Sequence, residues 1–217
     1  MWLNRLAYSL LLFAHLSMKR AFDIVVSLAA LVLMFPLLLL VAIIIKLDSP
    51  GPIFFRQERM GRGFRPFFIY KFRTMTPDAP ARGRPITVGN DPRITRVGRF
   101  LRKTKIDELP QLINVLKGEM SLVGPRPEVP RYVEIFRKDY EEVLRVRPGI
   151  TDMASLKYRD EATLLGRSQN PEEKYVTQVL PEKIKLAKEY TRQSSLFFDL
   201  ALICKTLVKL FDYRTSS

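Results

Sequence analysis

Hydrophobic positions in this chain are concentrated at one place and then scattered into short patterns. From residue 24 to residue 45 no side chain is ionisable, and 16 of the 22 positions are Leu, Ile, Val or Phe. A run that is apolar on every side suits a helix in lipid better than one packed on a core. At ~1.5 Å per residue it is ~33 Å long, and its transfer into a bilayer is favourable by about 5–10 kcal/mol. Pro36 sits mid-run. It lacks an amide proton and clashes with the preceding turn, so the helix is expected to break or kink there. Neither arm alone is then long enough to cross. Arg5, Lys19 and Arg20 precede the run, and Lys46, Arg56, Arg59, Arg62 and Arg65 follow it. With both flanks basic, the positive-inside rule puts both in the cytoplasm. Residues 18–47 are therefore predicted to form a re-entrant hairpin, with a kinked spanning helix as the rival.

Beyond this run the elements are short. Asp48-Ser49-Pro50-Gly51-Pro52 ends the membrane segment. Ile53-Phe54-Phe55 and Phe67-Phe68-Ile69-Tyr70 read as strands joined by a basic turn around Gly61-Arg62-Gly63. Residues 76–92, rich in Pro, Gly and Arg, read as a mobile surface loop. Helices are expected over residues 94–103, 107–118, 131–146, 181–192 and 195–211. The last carries Leu196, Leu200, Ile203, Leu207 and Leu210 on one face, with Lys205 and Lys209 a turn apart. That pattern suits an amphipathic helix in the membrane interface, and packing on the domain core is the alternative. The predicted fold class is α/β, helix-rich with a small sheet, in a domain over residues 48–217. Residues 1–17 have no small-x-small cleavage site before Lys19, so they are not read as a signal peptide. They form either a membrane-surface helix or an extension ahead of Met18.

Composition adds a partner. Across 217 residues, 36 Lys and Arg face 22 Asp and Glu, a formal net charge of +14. Such a charge favours nucleic acid, an anionic lipid surface or a phosphorylated substrate. The single Cys204 excludes an intrachain disulfide, and no Cys pair offers a zinc site. The single histidine, His15, lies in the N-terminal flank, which argues against a Ser-His-Asp triad or a His-rich metal centre. Hard-cation chemistry on carboxylate oxygens stays open.

Asp107 and Glu108 are adjacent at a predicted helix start. Thr104-x-x-Asp107 fits a capping box, acids suit the positive end of a helix dipole, and Pro110 suits a first turn. The surroundings offer more than capping. Arg102, Lys103, Lys105 and Arg126, with Lys71 and Arg147, supply cations able to hold a pyrophosphate, and a helix N-terminus adds N–H donors. A carboxylate can attack phosphorus to give an acyl phosphate, which divides one displacement into two. Attack of anion on anion needs neutralisation, for which Mg²⁺ bridging carboxylate and phosphate oxygens is the natural helper. One carboxylate is then nucleophile and the other base or metal ligand, and spacing does not assign them.

The stretches LAALVLMFPLLLLVAIIIKLDSPGPIFFRQERMG, FFIYKFRTM, DPRITRVGRFLRKTKIDELPQLINVLKGEMSLVGPRPE and VRPGIT follow one another in order. Together they closely resemble the bacterial sugar transferases, the small monotopic phosphoglycosyl transferases. The resemblance implies transfer of a phospho-sugar from a UDP-sugar to a polyprenyl (undecaprenyl) phosphate, with release of UMP. It implies Asp107 as covalent nucleophile, Glu108 in metal and proton chemistry, and Mg²⁺ as cofactor at Asp107 and Glu108. It maps the membrane break onto Pro36, and phosphate or structural contacts onto Lys71, Arg102, Arg126 and Arg147. It also places the protein among the lipids of the bacterial inner membrane, its catalytic domain on the cytoplasmic face. The pathway step is the first membrane step of surface glycan or glycoconjugate synthesis, and a homodimer is allowed. Many members follow VRPGIT with Gly-Trp-Ala-Gln-Val and then Asn-Gly-Arg. Here the residues are Asp152-Met153-Ala154-Ser155-Leu156 and Lys157-Tyr158-Arg159, a departure that bears on the sugar and not on the reaction. The contrasting class is a basic membrane-surface binder. Its cations would gather in a tail, whereas here they are spread between motifs, and the aromatics form no RNA-binding pattern, so no nucleic-acid partner is expected.

Overall fold

A computed structural model describes residues 2–79, 87–88, 91–158 and 161–212, with side chains from residue 17 to residue 209. The first helix, α1 (Trp2–Asp48), takes in both the flank and the whole apolar run. The expected break at Pro36 is corrected: the helix continues through it. Proline forfeits one backbone hydrogen bond, but in apolar surroundings the other N–H and C=O groups can pair only within the helix. At the C-terminal end of α1, Arg73 donates to the carbonyls of Ile45 (3.4 Å), Ser49 (2.7 Å) and Pro50, which ties the end of the helix and the two residues beyond it to the end of β2.

The described side chains of α1, from residue 17 onward, are buried in two separate groups, Asp23 with Ser27 and Val41 with Ile45. On the N-terminal side, Lys19 donates to the Val123 carbonyl (3.1 Å) and ion-pairs with Asp199. Arg20 donates to the carbonyls of Val115 (2.7 Å) and Leu116 (3.1 Å), and buried Asp23 accepts from the Leu122 amide (3.1 Å). On the C-terminal side, Val41 and Ile45 are buried against Phe72 and Leu101. Between Ser27 and Val41 every side chain is exposed or half-exposed. Among the described residues α1 alone is long and apolar enough to cross a membrane, yet the stretches around Lys19–Asp23 and Val41–Ile45 both rest on one domain.

The two expected strands are extended into an antiparallel hairpin, β1 (Phe54–Met60) and β2 (Pro66–Phe72), in which Phe55 opposes Lys71 and Arg56 opposes Tyr70. Phe67 and Ile69 turn inward onto Val115 and Met120. Helix α2 (Arg96–Thr104) begins at Thr95, whose hydroxyl accepts from the Gly98 amide (2.9 Å). It passes so close to the end of β2 that a Cβ on Gly98 would lie 2.0 Å from the Thr74 carbonyl oxygen, so only glycine fits there. Lys105 ends α2 in the left-handed region (φ 60°) and turns the chain into a 3-10 turn, Ile106–Glu108. Helix α3 (Gln111–Lys117) follows and stops at Gly118, φ 82°. The expected capping box does not form. Thr104 instead donates back to the carbonyls of Phe100 (2.9 Å) and Leu101 (3.2 Å), because α2 runs through it.

A second sheet pairs β3 (Ser121–Val123) in parallel with β4 (Gly149–Thr151). The single helix expected over residues 131–146 is two, α4 (Pro130–Ile135) and α5 (Arg137–Val143), because Phe136 leaves helical geometry (φ −114°, ψ 35°). After β4 come α6 (Met153–Lys157), α7 (Glu161–Gly166), α8 (Pro171–Lys174), a π-helical turn (Tyr175–Val179), α9 (Leu180–Gln193) and α10 (Leu196–Asp212). The largest core joins Val133, Tyr140, Val143, Leu165 and Leu180. The helix-rich α/β class with small sheets is thus borne out. Of the loop expected over residues 76–92, residues 80–86 and 89–90 lie outside the described residues. Its ends are pinned, by a hydrogen bond from the Thr76 amide to the Arg93 carbonyl (2.9 Å) and by the buried Asp91–Arg93 ion pair (2.6 Å).

Candidate active site

The 3-10 turn after α2 presents Asp107 and Glu108 in different directions, and the difference defines the site. Glu108 Oε1 accepts from Lys71 Nζ on β2 (2.7 Å) and from Arg126 of the Pro125–Pro127 segment (2.8 Å). Two cations thus converge on one oxygen of a side chain only 12% exposed. Asp107 is itself buried, and its Oδ1 has no hydrogen-bond partner. A buried acceptor left unpaired costs about 1–3 kcal/mol unless something outside the protein satisfies it.

The two carboxyls titrate in opposite directions. Burial and the neighbouring Glu108 charge raise Asp107 above the ordinary aspartate value, against the pull of Lys71, Lys105 and Arg102. Burial also opposes ionisation of Glu108, but Arg126 and Lys71 outweigh it and hold that carboxyl well below the usual range. In turn, burial lowers the Lys71 ammonium, and Glu108 raises Arg126. A carboxylate held well below its usual range stays ionised and is a weak proton acceptor.

Of the basic residues singled out in the sequence, Lys71 and Arg126 touch the carboxylate pair. Arg102 is held beside it, its Nε donating to the Thr74 hydroxyl (2.8 Å) and its charge acting on both Asp107 and Glu108. Arg147 is elsewhere: its Nε donates to the Gly118 carbonyl (2.9 Å) at the end of α3, and its charged neighbours are Arg20, Arg62 and Asp23. Several supporting residues were missed. Thr74 orients Arg102, and Asp91 acts on it electrostatically. Glu128 braces the Arg126 segment by accepting from Arg59 (3.3 Å) and from the Tyr175 hydroxyl (2.5 Å). Nothing in the spacing of these residues marks them, because their partners lie 28, 69 and 47 positions away. Asp152, in the stretch that departs from the family pattern, caps α6 by accepting from the Ser155 amide (2.9 Å) and hydroxyl, and it acts on Arg126.

The donor set suits a hard divalent cation in one respect, the unpaired Asp107 oxygen. Among the described residues no group of three or more His, Cys, Asp or Glu side chains gathers around a common point. A divalent cation here would have at most the carboxylate pair as protein ligands, and would need substrate oxygens and water for the rest, as Mg²⁺ at phosphate sites commonly does.

Fold and site together define a small α/β domain docked on a membrane-type helix, with a carboxylate pair set among cations that can receive phosphate groups. The chain belongs to the bacterial sugar transferase family, whose pattern matches residues 14–213. It is 39% identical over 196 residues to the UDP-N-acetylgalactosamine-undecaprenyl-phosphate N-acetylgalactosaminephosphotransferase of Aeromonas hydrophila, covering 87% of this chain and 42% of that protein. It is 38% identical over 198 residues to the UDP-glucose:undecaprenyl-phosphate glucose-1-phosphate transferase of Escherichia coli (strain K12), covering 89% of this chain and 40% of that protein. A protein of the latter name from Caulobacter vibrioides is 40% identical over 200 residues, 88% of this chain and 69% of that protein. The chain thus spans about two fifths of the first two relatives.

Proposed function

We propose that this protein transfers a phospho-sugar from a UDP-sugar to undecaprenyl phosphate, through a covalent intermediate on Asp107. The observation that carries the proposal is the asymmetry of the carboxylate pair: Glu108 is committed to Lys71 and Arg126, while Asp107 Oδ1 is unpaired. In the first displacement an Asp107 oxygen attacks the phosphorus that bears the sugar, and the bond from that phosphorus to the bridging oxygen breaks. UMP leaves with the electron pair. In the second, an oxygen of the lipid phosphate attacks the same phosphorus and the Asp107 carboxylate is released. Neither step needs a strong base. The attacking group in each is an oxyanion, the Asp107 carboxylate in the first and, in the second, a phosphate monoester whose second pKa of ~6 leaves it largely dianionic. Glu108 therefore acts as a fixed anion that aims Lys71 and Arg126, while Arg102 offers its outer nitrogens to the diphosphate. Mg²⁺, held by Asp107 and Glu108, would neutralise charge on the phosphate oxygens.

The same proposal places the domain on the cytoplasmic face of the inner membrane with α1 re-entrant. Two separated stretches of α1 rest on one domain, at Lys19, Arg20 and Asp23 and again at Val41 and Ile45, while the apolar stretch between them, residues 28–40, has no buried side chain. A helix that crossed the bilayer would leave one end on the far side. α10 joins the same face, since its Asp199 pairs with Lys19 at the entry to α1, and Phe197, Leu207 and Val208 are exposed. The sugar is set by the site's own wall, which includes the Asp152 segment beside Arg126.

A UDP-sugar supplied without lipid should release a burst of UMP no larger than the enzyme present, and steady-state kinetics should be ping-pong. A requirement for lipid before any UMP appears would contradict the covalent route.

A further inference from the structure

Phe55 is an aromatic that no core claims. It is 42% exposed, and it joins none of the buried clusters among the described residues. Its neighbours are settled: Phe54 stacks on Phe72 with centroids 5.5 Å apart, and Ile53 packs on the cluster of Val41 and Ile45. A single exposed phenylalanine is ordinary, but its position in the register is informative. Phe55 lies directly opposite Lys71, so the two side chains leave the sheet on one face with Cβ atoms ~5 Å apart. The Lys71 ammonium is 2.7 Å from Glu108, so the phenyl ring shares the face from which Lys71 reaches the carboxylate pair.

The same face leads to the membrane. Ile53 precedes β1, but its carbonyl accepts from the Arg73 amide (2.9 Å) and so continues the ladder by one pair. That puts it on the Phe55 face ~6.6 Å back along the chain, while Phe72 reaches the same cluster from the opposite face at the end of the hairpin. Ile53 packs on the cluster that contains Val41 and Ile45 of α1, and so does Ile106, the residue before Asp107. Apolar surface therefore continues from the second half of α1 through Ile53 to Phe55, and stops where Lys71 and Glu108 begin. This order, apolar and then cationic, matches an amphiphile whose hydrocarbon chain ends in a phosphate. A nucleotide sugar has no hydrocarbon to lay there.

We propose that Phe55 contacts the hydrocarbon chain of the acceptor lipid next to its phosphate, and so governs use of the acceptor and not of the donor. This rests on the lipid-acceptor function proposed above. Phe55→Ser should raise the apparent KM for undecaprenyl phosphate about tenfold, while the lipid-independent UMP burst keeps its rate and amplitude. Phe55→Leu should stay close to the unsubstituted protein. A burst slowed as much as turnover, or an unchanged KM for the lipid, would overturn the assignment. A second measurement needs no turnover. Against the single native Trp2, Phe55→Trp should show a blue shift of emission when undecaprenyl phosphate is added in detergent, and none with a UDP-sugar. Absence of the lipid-induced shift would overturn the contact. Absence of a burst in the unsubstituted protein would instead strike at Asp107, and the emission shift would still decide Phe55.

Discussion

On the Glu108 side of the site two cations converge on one carboxylate oxygen, whereas on the Asp107 side a buried oxygen has no partner at all. The residues are adjacent in sequence and chemically alike, so the difference comes from where the fold sends each side chain. β2 and the Arg126 segment bring their charges to Glu108, and α2 leaves Arg102 beside Asp107 without a bond to it. In the mechanism proposed above, the paired side positions cations and the unpaired side reacts. Such a site stores instability where it reacts and recovers stability next door.

The largest test of this contrast substitutes each carboxylate by its amide. Asp107→Asn should reduce turnover at least ~10⁴-fold and yet raise stability by about 1 kcal/mol at neutral pH. The sign follows from linkage. A carboxyl raised in the folded state contributes stability below its unfolded pKa and loses it as pH rises through the folded value, so the ionised form is unfavourable at pH 7. Glu108→Gln should reverse the stability change, costing about 3 kcal/mol by stranding Lys71 and Arg126, with turnover down about 100-fold. Glu108 is depressed, so its contribution is present above its unfolded pKa and lost as pH falls through the folded one. Thermal unfolding and UMP release on the two variants would check both signs. A destabilised Asp107→Asn would break the comparison.

A smaller effect lies in pH dependence. The acid limb of kcat/KM for the UDP-sugar should sit above the ordinary aspartate value of ~3.9, because burial and Glu108 raise Asp107. Glu108→Gln should move that limb to lower pH, since it removes a raising charge. A limb that moves upward would show that Glu108 does not act on Asp107 as described. The smallest effect is expected at Arg147, which serves the α3 terminus. Arg147→Ala should change kcat/KM by less than about threefold and cost about 1 kcal/mol of stability.

Much of the chemistry was legible in the sequence because it depends on adjacency: the carboxylate pair, the cations around it and the uninterrupted apolar run all announce themselves locally. The hairpin was legible too, since two β-prone aromatic runs flank a Gly-rich basic turn, although the unbroken run Phe67–Tyr70 does not say that Phe67 and Ile69 are the inward pair. The parallel pairing of β3 with β4 was not. Each strand is three residues long, too short to show a period. Short helices α6, α7 and α8 escaped for the same reason. Pro36 misled because a breaker in water is tolerated in a helix whose surroundings offer no other hydrogen-bond partners. Arg147 looked equivalent to Arg126 by composition, and only the fold separates an arginine that caps a helix from one that faces Glu108.

The central claim is that Asp107 becomes covalently phosphorylated by sugar phosphate. Protein incubated with a UDP-sugar and no lipid, quenched and analysed by intact mass, should gain one phospho-sugar, and fragmentation should place it on Asp107. The adduct should disappear when undecaprenyl phosphate is added, and should be absent from Asp107→Asn. An unmodified mass in protein that turns over normally once lipid is present, or an adduct on any other residue, would contradict the account.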